Sequence, residues 1–190
     1  MKRISLAVLL TMLVTPALAH TGHGEASGFI HGLQHPFFGL DHLFAMLAVG
    51  LWSGFVLPRR FWMGAATFMA AMTAGAALSW AGVAIPMVES WIAVSVIVFG
   101  LLTVVSRNGQ TEGLTRASLA AIALFALCHG HAHATEATGN AAAYLAGFLI
   151  ATAVLHMAGI LMARGLANRV LVQRAAGLGI AASGLYLMVG

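Results

Sequence analysis

From residue 34 onward the sequence is a succession of apolar runs, each about 20 residues long, joined by short connectors. A run of that length crosses the hydrocarbon core of a bilayer as a helix, the form that satisfies its own backbone where no water is available. The runs fall at about 34–57, 61–83, 86–105, 117–133, 141–163 and 170–189. The expected fold is therefore all-α: a polytopic membrane protein with about six transmembrane helices in one compact bundle. The connectors hold the breakers such a reading needs, Pro58, Pro86, Asn108-Gly109 and Gly139-Asn140. Composition removes the soluble alternative, since 7% of residues are charged against about 25% in soluble domains. The net charge of +4 comes from few, scattered basic residues, which argues against nucleic acid as a partner. A single cysteine, Cys128, excludes a disulfide framework and a cysteine-based metal site.

The first residues form a separate unit. A basic start at Lys2 and Arg3, an apolar run over 4–14 and Ala17-Leu18-Ala19 as a small-residue cleavage site together predict a secretory signal peptide over 1–19. An uncleaved anchor helix is the alternative. Residues 20–33 then form a His-rich periplasmic N-terminal tail, and 34–190 the six-helix domain, with candidate halves at about 34–105 and 117–190.

Orientation follows from the arginines. Seven lie beyond the signal, with no lysine: Arg59, Arg60, Arg107, Arg116, Arg164, Arg169 and Arg174. All fall in alternate connectors, which basic residues mark as cytoplasmic. The chain is expected in the bacterial inner membrane with both termini on the periplasmic side. Small residues crowd the spans, as in 64–82 and 175–184, which suits helices that associate in lipid by close backbone approach. The dispersed methionines suit packing better than a copper path. Self-association into a homo-oligomer is left open.

Against this apolar background, "HPFFGLDHLFAMLAVGLW" over 35–52 is anomalous, because its first turns carry His35, Asp41 and His42. His31, His35 and His42 are spaced by four and seven, which predicts one face of a continuous helix. "CHGHAHATE" places His129, His133 and Glu136 at i, i+4 and i+7, again one face, with His131 pointing elsewhere. Under the expected topology these two faces lie at similar depth on the outer side, and His20 and His23 of the tail are within reach of them. His156 sits deeper in the fifth span, with helix–helix hydrogen bonding as its alternative role. Glu89 fits a helix start. An ionisable group near the bilayer centre costs about 2.5–3.5 kcal/mol, so several on two faces predict a site. Imidazole nitrogen with carboxylate oxygen and no thiolate suits a borderline divalent ion such as Ni²⁺, Co²⁺ or Zn²⁺. The bland alternative is buried His–acid pairs that stabilise the bundle.

Taken together, the two stretches resemble the HupE/UreJ family of membrane proteins, found beside hydrogenase and urease genes and regarded as secondary nickel or cobalt transporters. The family's first pattern is matched by His35-Pro36, Gly39, Asp41-His42, Met46, Val49-Gly50 and Trp52. The second is matched by His129-Gly130, Ala132-His133 and Glu136, with departures at Cys128, where Phe is usual, and Ala134, where Gly is usual. The resemblance covers nearly the whole chain and implies permeation of nickel. The metal ligands expected on this combined ground are His35, Asp41, His42, His129, His133 and Glu136, with His20, His23, His31, His131 and His156 in subsidiary roles. No permanently bound cofactor is expected. No G-x-x-x-x-G-K-[ST] motif for ATP occurs in the chain. The alternatives are an intramembrane zinc-dependent hydrolase, a rhomboid-like serine protease and a bis-His haem protein.

Overall fold

The computed structural model describes residues 25–166 and 169–189. Among them are seven helices and no strand: α1 (Glu25–Phe38), α2 (Leu40–Val56), α3 (Trp62–Trp80), α4 (Val88–Val105), α5 (Glu112–Glu136), α6 (Ala141–Gly165) and α7 (Val170–Val189). The expected signal peptide over 1–19, with His20 and His23, lies outside the described residues.

Four of these helices, α4 to α7, are long and apolar enough to cross a membrane, and α1 with α2 makes a fifth candidate as one broken span. The chain is a membrane protein. The expected count of six is not reached on length and apolarity alone, because α3 falls outside that set. Its glycines, threonines and terminal tryptophans dilute the apolar run. The last span agrees with the sequence boundaries, whereas the fourth begins earlier and ends later than expected.

The first span differs most. The periodicity predicts one helix through residues 31–42, but two helices meet there at 78°. Pro36 lies inside the last turns of α1 and removes a backbone donor. Gly39 then adopts an extended conformation (φ −89°, ψ 115°) as the N-cap of α2. Residues 25–33, read from sequence as part of the tail, are helical. Elsewhere the turns follow the sequence: Gly109 and Gly139 take positive φ (76° and 71°), the left-handed region where glycine is unstrained. Asn140 caps α6 by accepting from the Ala143 amide at 2.9 Å.

Packing is dominated by pairs distant in sequence: α3 with α5, α4 with α7, and α6 with both α1 and α2. Small residues make the approach possible. A Cβ on Gly130 of α5 would collide with the Met72 carbonyl of α3, and one on Gly50 of α2 with the His156 carbonyl of α6. α2 is the centre of the bundle, with Ala45, Met46 and Ala48 fully buried and Trp52 nearly so. Leu171, Leu178, Leu185 and Tyr186 of α7 face outward, an apolar surface suited to lipid. The three arginine-bearing connectors meet at one end, where Pro58, Arg107, Arg164 and Arg174 line a cleft of about 1040 Å³. The other connectors lie at the opposite end with the histidines.

Candidate metal centre

Three helices each deliver one imidazole to the same point, two of them consecutive across Gly39 and the third far along the chain. One ring nitrogen from each of His35 (α1), His42 (α2) and His133 (α5) lies within 4.8 Å of the others. The bend at Gly39 makes this arrangement. It turns α2 back so that the His42 ring stacks beside that of His35, with centroids 5.5 Å apart. A Cβ on Gly39 would lie 2.8 Å from Asp41 Oδ1 and 2.9 Å from His42 Cδ2, so the site residues themselves occupy the space a side chain there would need. The His42 and His133 rings meet edge to face at 4.1 Å. Phe148 closes one wall, its ring 4.4 Å from that of His133.

Two carboxylates serve the trio. Glu136 Oε2 accepts from His133 Nδ1 at 2.8 Å and lies 3.3 Å from His35 Nε2, so it bridges two of the three rings. Asp41, in the first turn of α2, accepts from the His42 amide at 2.9 Å and lies 3.3 Å from His42 Nδ1. The helix N-terminus favours an anion there. His42 and His133 are buried, and each keeps one ring nitrogen, His42 Nδ1 and His133 Nε2, with no hydrogen-bond partner among the described residues. A buried polar atom left unpaired costs about 1–3 kcal/mol. Such atoms, converging with carboxylates beside them, have the chemistry of a cation site: neutral imidazole lone pairs bind, and the acids offset the charge.

The remaining histidines are distributed around this point. His129 lies one turn deeper on α5, fully buried, with its ring 5.4 Å from that of His42. It is outside the mutually close trio, so the expected wall of His129 with His133 is split between two depths. His156 of α6 is deeper again, and the buried Phe68 ring lies between the two, 5.5 Å from His129 and 5.0 Å from His156. His156 Nδ1 donates to the Thr152 carbonyl at 2.8 Å, which leaves Nε2 unpartnered. His31 pairs with Thr138 at 2.8 Å and lies beside Tyr144 at the outer end. His131 turns away, as its spacing requires, and donates Nε2–H to the Val83 carbonyl at 2.6 Å. Together with the Trp80 indole on the Ala134 carbonyl at 3.2 Å, that bond ties α3 and its connector to α5.

Sequence reasoning passed over Tyr144, Phe148, Phe68 and Ser95. The first two were legible, since Tyr144, Phe148, Thr152 and His156 recur every four residues and form one buried face of α6. Phe68 and Ser95 carry no such signal, because only the packing of α3 and α4 against α5 brings them to the histidines.

Residues 8–187 match the family described as HupE / UreJ protein. The chain belongs to the HupE/UreJ family. It is also 39% identical to Protein HupE of Rhizobium leguminosarum bv. viciae over the full length of both chains. No solved structure matches. The hydrolase alternative gains no support from this membership, and the trio, Asp41 and Glu136 lie on residues that carry the resemblance to HupE/UreJ proteins.

Proposed function

We propose that this HupE/UreJ protein is a secondary transporter or facilitator that takes up a divalent transition-metal ion, Ni²⁺ with Co²⁺ as the second candidate, for the maturation of a metalloenzyme such as a hydrogenase or urease. The observation that carries the reading is the convergence of three imidazoles from three helices, with two carboxylates beside them, at one end of a membrane bundle. A structural metal centre would be closed by its ligand set, whereas here His35 is partly exposed and Glu136 is exposed at the outer end. In this reading the ion enters at His35, His42, His133, Asp41 and Glu136, and passes inward by His129 and His156. Several modest sites in series suit conduction, since each must release its ion.

The arginine-bearing connectors at the opposite end support a cytoplasmic placement of that end in the inner membrane, with both termini periplasmic. The protein acts as a carrier, not an enzyme, and its driving force comes from the membrane potential, a proton gradient or a partner. Rings packed edge to face at 4.1 Å leave no room for a porphyrin between them. The test is uptake of radiolabelled Ni²⁺ and Co²⁺, with Zn²⁺ as competitor, by cells expressing the wild type, Asp41→Asn or His42→Ala at equal levels. Uptake should be lost in both variants; equal uptake in all three overturns the proposal.

A further inference from the structure

The buried hydroxyl of Ser95 on α4 lies 2.9 Å from His129 Nε2 and 2.6 Å from the Ile92 carbonyl oxygen. Two oxygens 2.6 Å apart attract only if a proton lies between them, and a carbonyl has none. The single hydroxyl proton of Ser95 is therefore directed at Ile92, the usual bond of a serine to its own helix. Only a lone pair of Oγ remains for His129, so His129 must be the donor. Its proton is on Nε2, and Nδ1 carries the lone pair. That Nδ1 is buried and has no hydrogen-bond partner among the described residues. The same logic holds at His156, where the Thr152 carbonyl takes the Nδ1 proton and leaves Nε2 as the lone-pair nitrogen.

We infer that Ser95 is a positioning residue for metal passage: it fixes the His129 tautomer and ring orientation so that Nδ1 is the ligand nitrogen of a second, carboxylate-free station one turn below the outer trio. A ligating histidine is ordinarily held in this way by an acceptor for its other N–H, and loss of that acceptor costs about 10- to 100-fold in metal affinity. The usual acceptor is a carboxylate, which also raises the basicity of the ligand. A hydroxyl orients the ring without adding negative charge, so the station it builds binds less tightly than the outer one. Its position fits the fall in affinity an ion needs in order to move inward. The assignment of a ligand role to His129 rests on the transport proposal; the tautomer does not.

Two measurements test it on the full-length protein. The first is the imidazole ¹⁵N spectrum of wild type labelled at histidine in lipid nanodiscs without added metal, with His129 assigned by difference against His129→Gln. It should show Nε2–H and a bare Nδ1, and Ser95→Ala should lose that single tautomer. The second is Ni²⁺ uptake: Ser95→Ala should lower the maximum rate about 10-fold at unchanged membrane levels, and Ser95→Thr, which keeps the hydroxyl, should restore it. A wild-type spectrum with the proton on Nδ1 overturns the inference, and needs a variant only to assign the His129 signal. So does a wild-type maximum rate in Ser95→Ala while His42→Ala is inactive, an outcome that leaves the transport proposal intact. If His42→Ala also transports normally, the transport proposal fails, and the spectrum alone still decides what Ser95 does.

Discussion

The two groups of imidazoles in this bundle are built on different terms. At the outer end His35, His42 and His133 come with Asp41 and Glu136, and one ring is partly open to the surface. Deeper down, His129 and His156 are fully buried, form no ion pair with a carboxylate among the described residues, and are oriented by a hydroxyl and a backbone carbonyl. The difference teaches how a membrane protein can draw in a cation without trapping it. On the proposed transport reading, carboxylates at the entrance would supply the charge that removes an ion from water, at a depth where acids are inexpensive. The neutral interior would offer lone pairs alone, so residence there would be short.

The comparison is broken or sharpened by four substitutions, each expected to act through its own group. His42→Ala removes a ligand shared by the trio and adjacent to His129; Ni²⁺ uptake should fall by more than about 100-fold, beyond the range seen for supporting residues. Glu136→Gln keeps the shape but not the charge that bridges His35 and His133. An increase of about 10- to 100-fold in KM with little change in maximum rate is expected, and a wild-type KM would remove Glu136 from the entrance. His156→Ala should show the converse, a maximum rate lowered by up to about 10-fold at constant KM; a KM effect as large as that of Glu136→Gln would erase the distinction between the groups. His131→Ala should leave uptake per molecule unchanged. It loses the bond to Val83, so thermal unfolding in detergent should report about 1–3 kcal/mol of destabilisation. Impaired uptake in a stably folded His131→Ala would bring that histidine into the path.

The helical class and most boundaries were legible in the chain because the bilayer rule is local: about 20 apolar residues, then a break. Val170–Val189 matches its expected bounds for that reason. The bend at Gly39 was not legible. Pro36 and Gly39 were both visible, but either is tolerated inside a transmembrane helix, and the packing of α1 against α6 decides between kink and break. The cause shows in Gly147, whose Cβ would collide with the Phe29 carbonyl of α1, and in Gly32, whose Cβ would collide with that of Tyr144. A continuous helix aligns His31 with His35 and His42; in the bent pair the His31 and His35 rings stay 5.8 Å apart and those of His35 and His42 5.5 Å, and His42 also meets His133.

What the sequence determined by itself is the medium, the helical class and the chemical character of the candidate site, since hydropathy, arginine placement and residue type act at each position independently. What the tertiary structure decided is which histidines share a point and which nitrogen each has free. Those depend on contacts between helices far apart in the chain, α1 and α6, α3 and α5, α4 and α5. No spacing within one helix records that a serine on α4 holds the imidazole of His129.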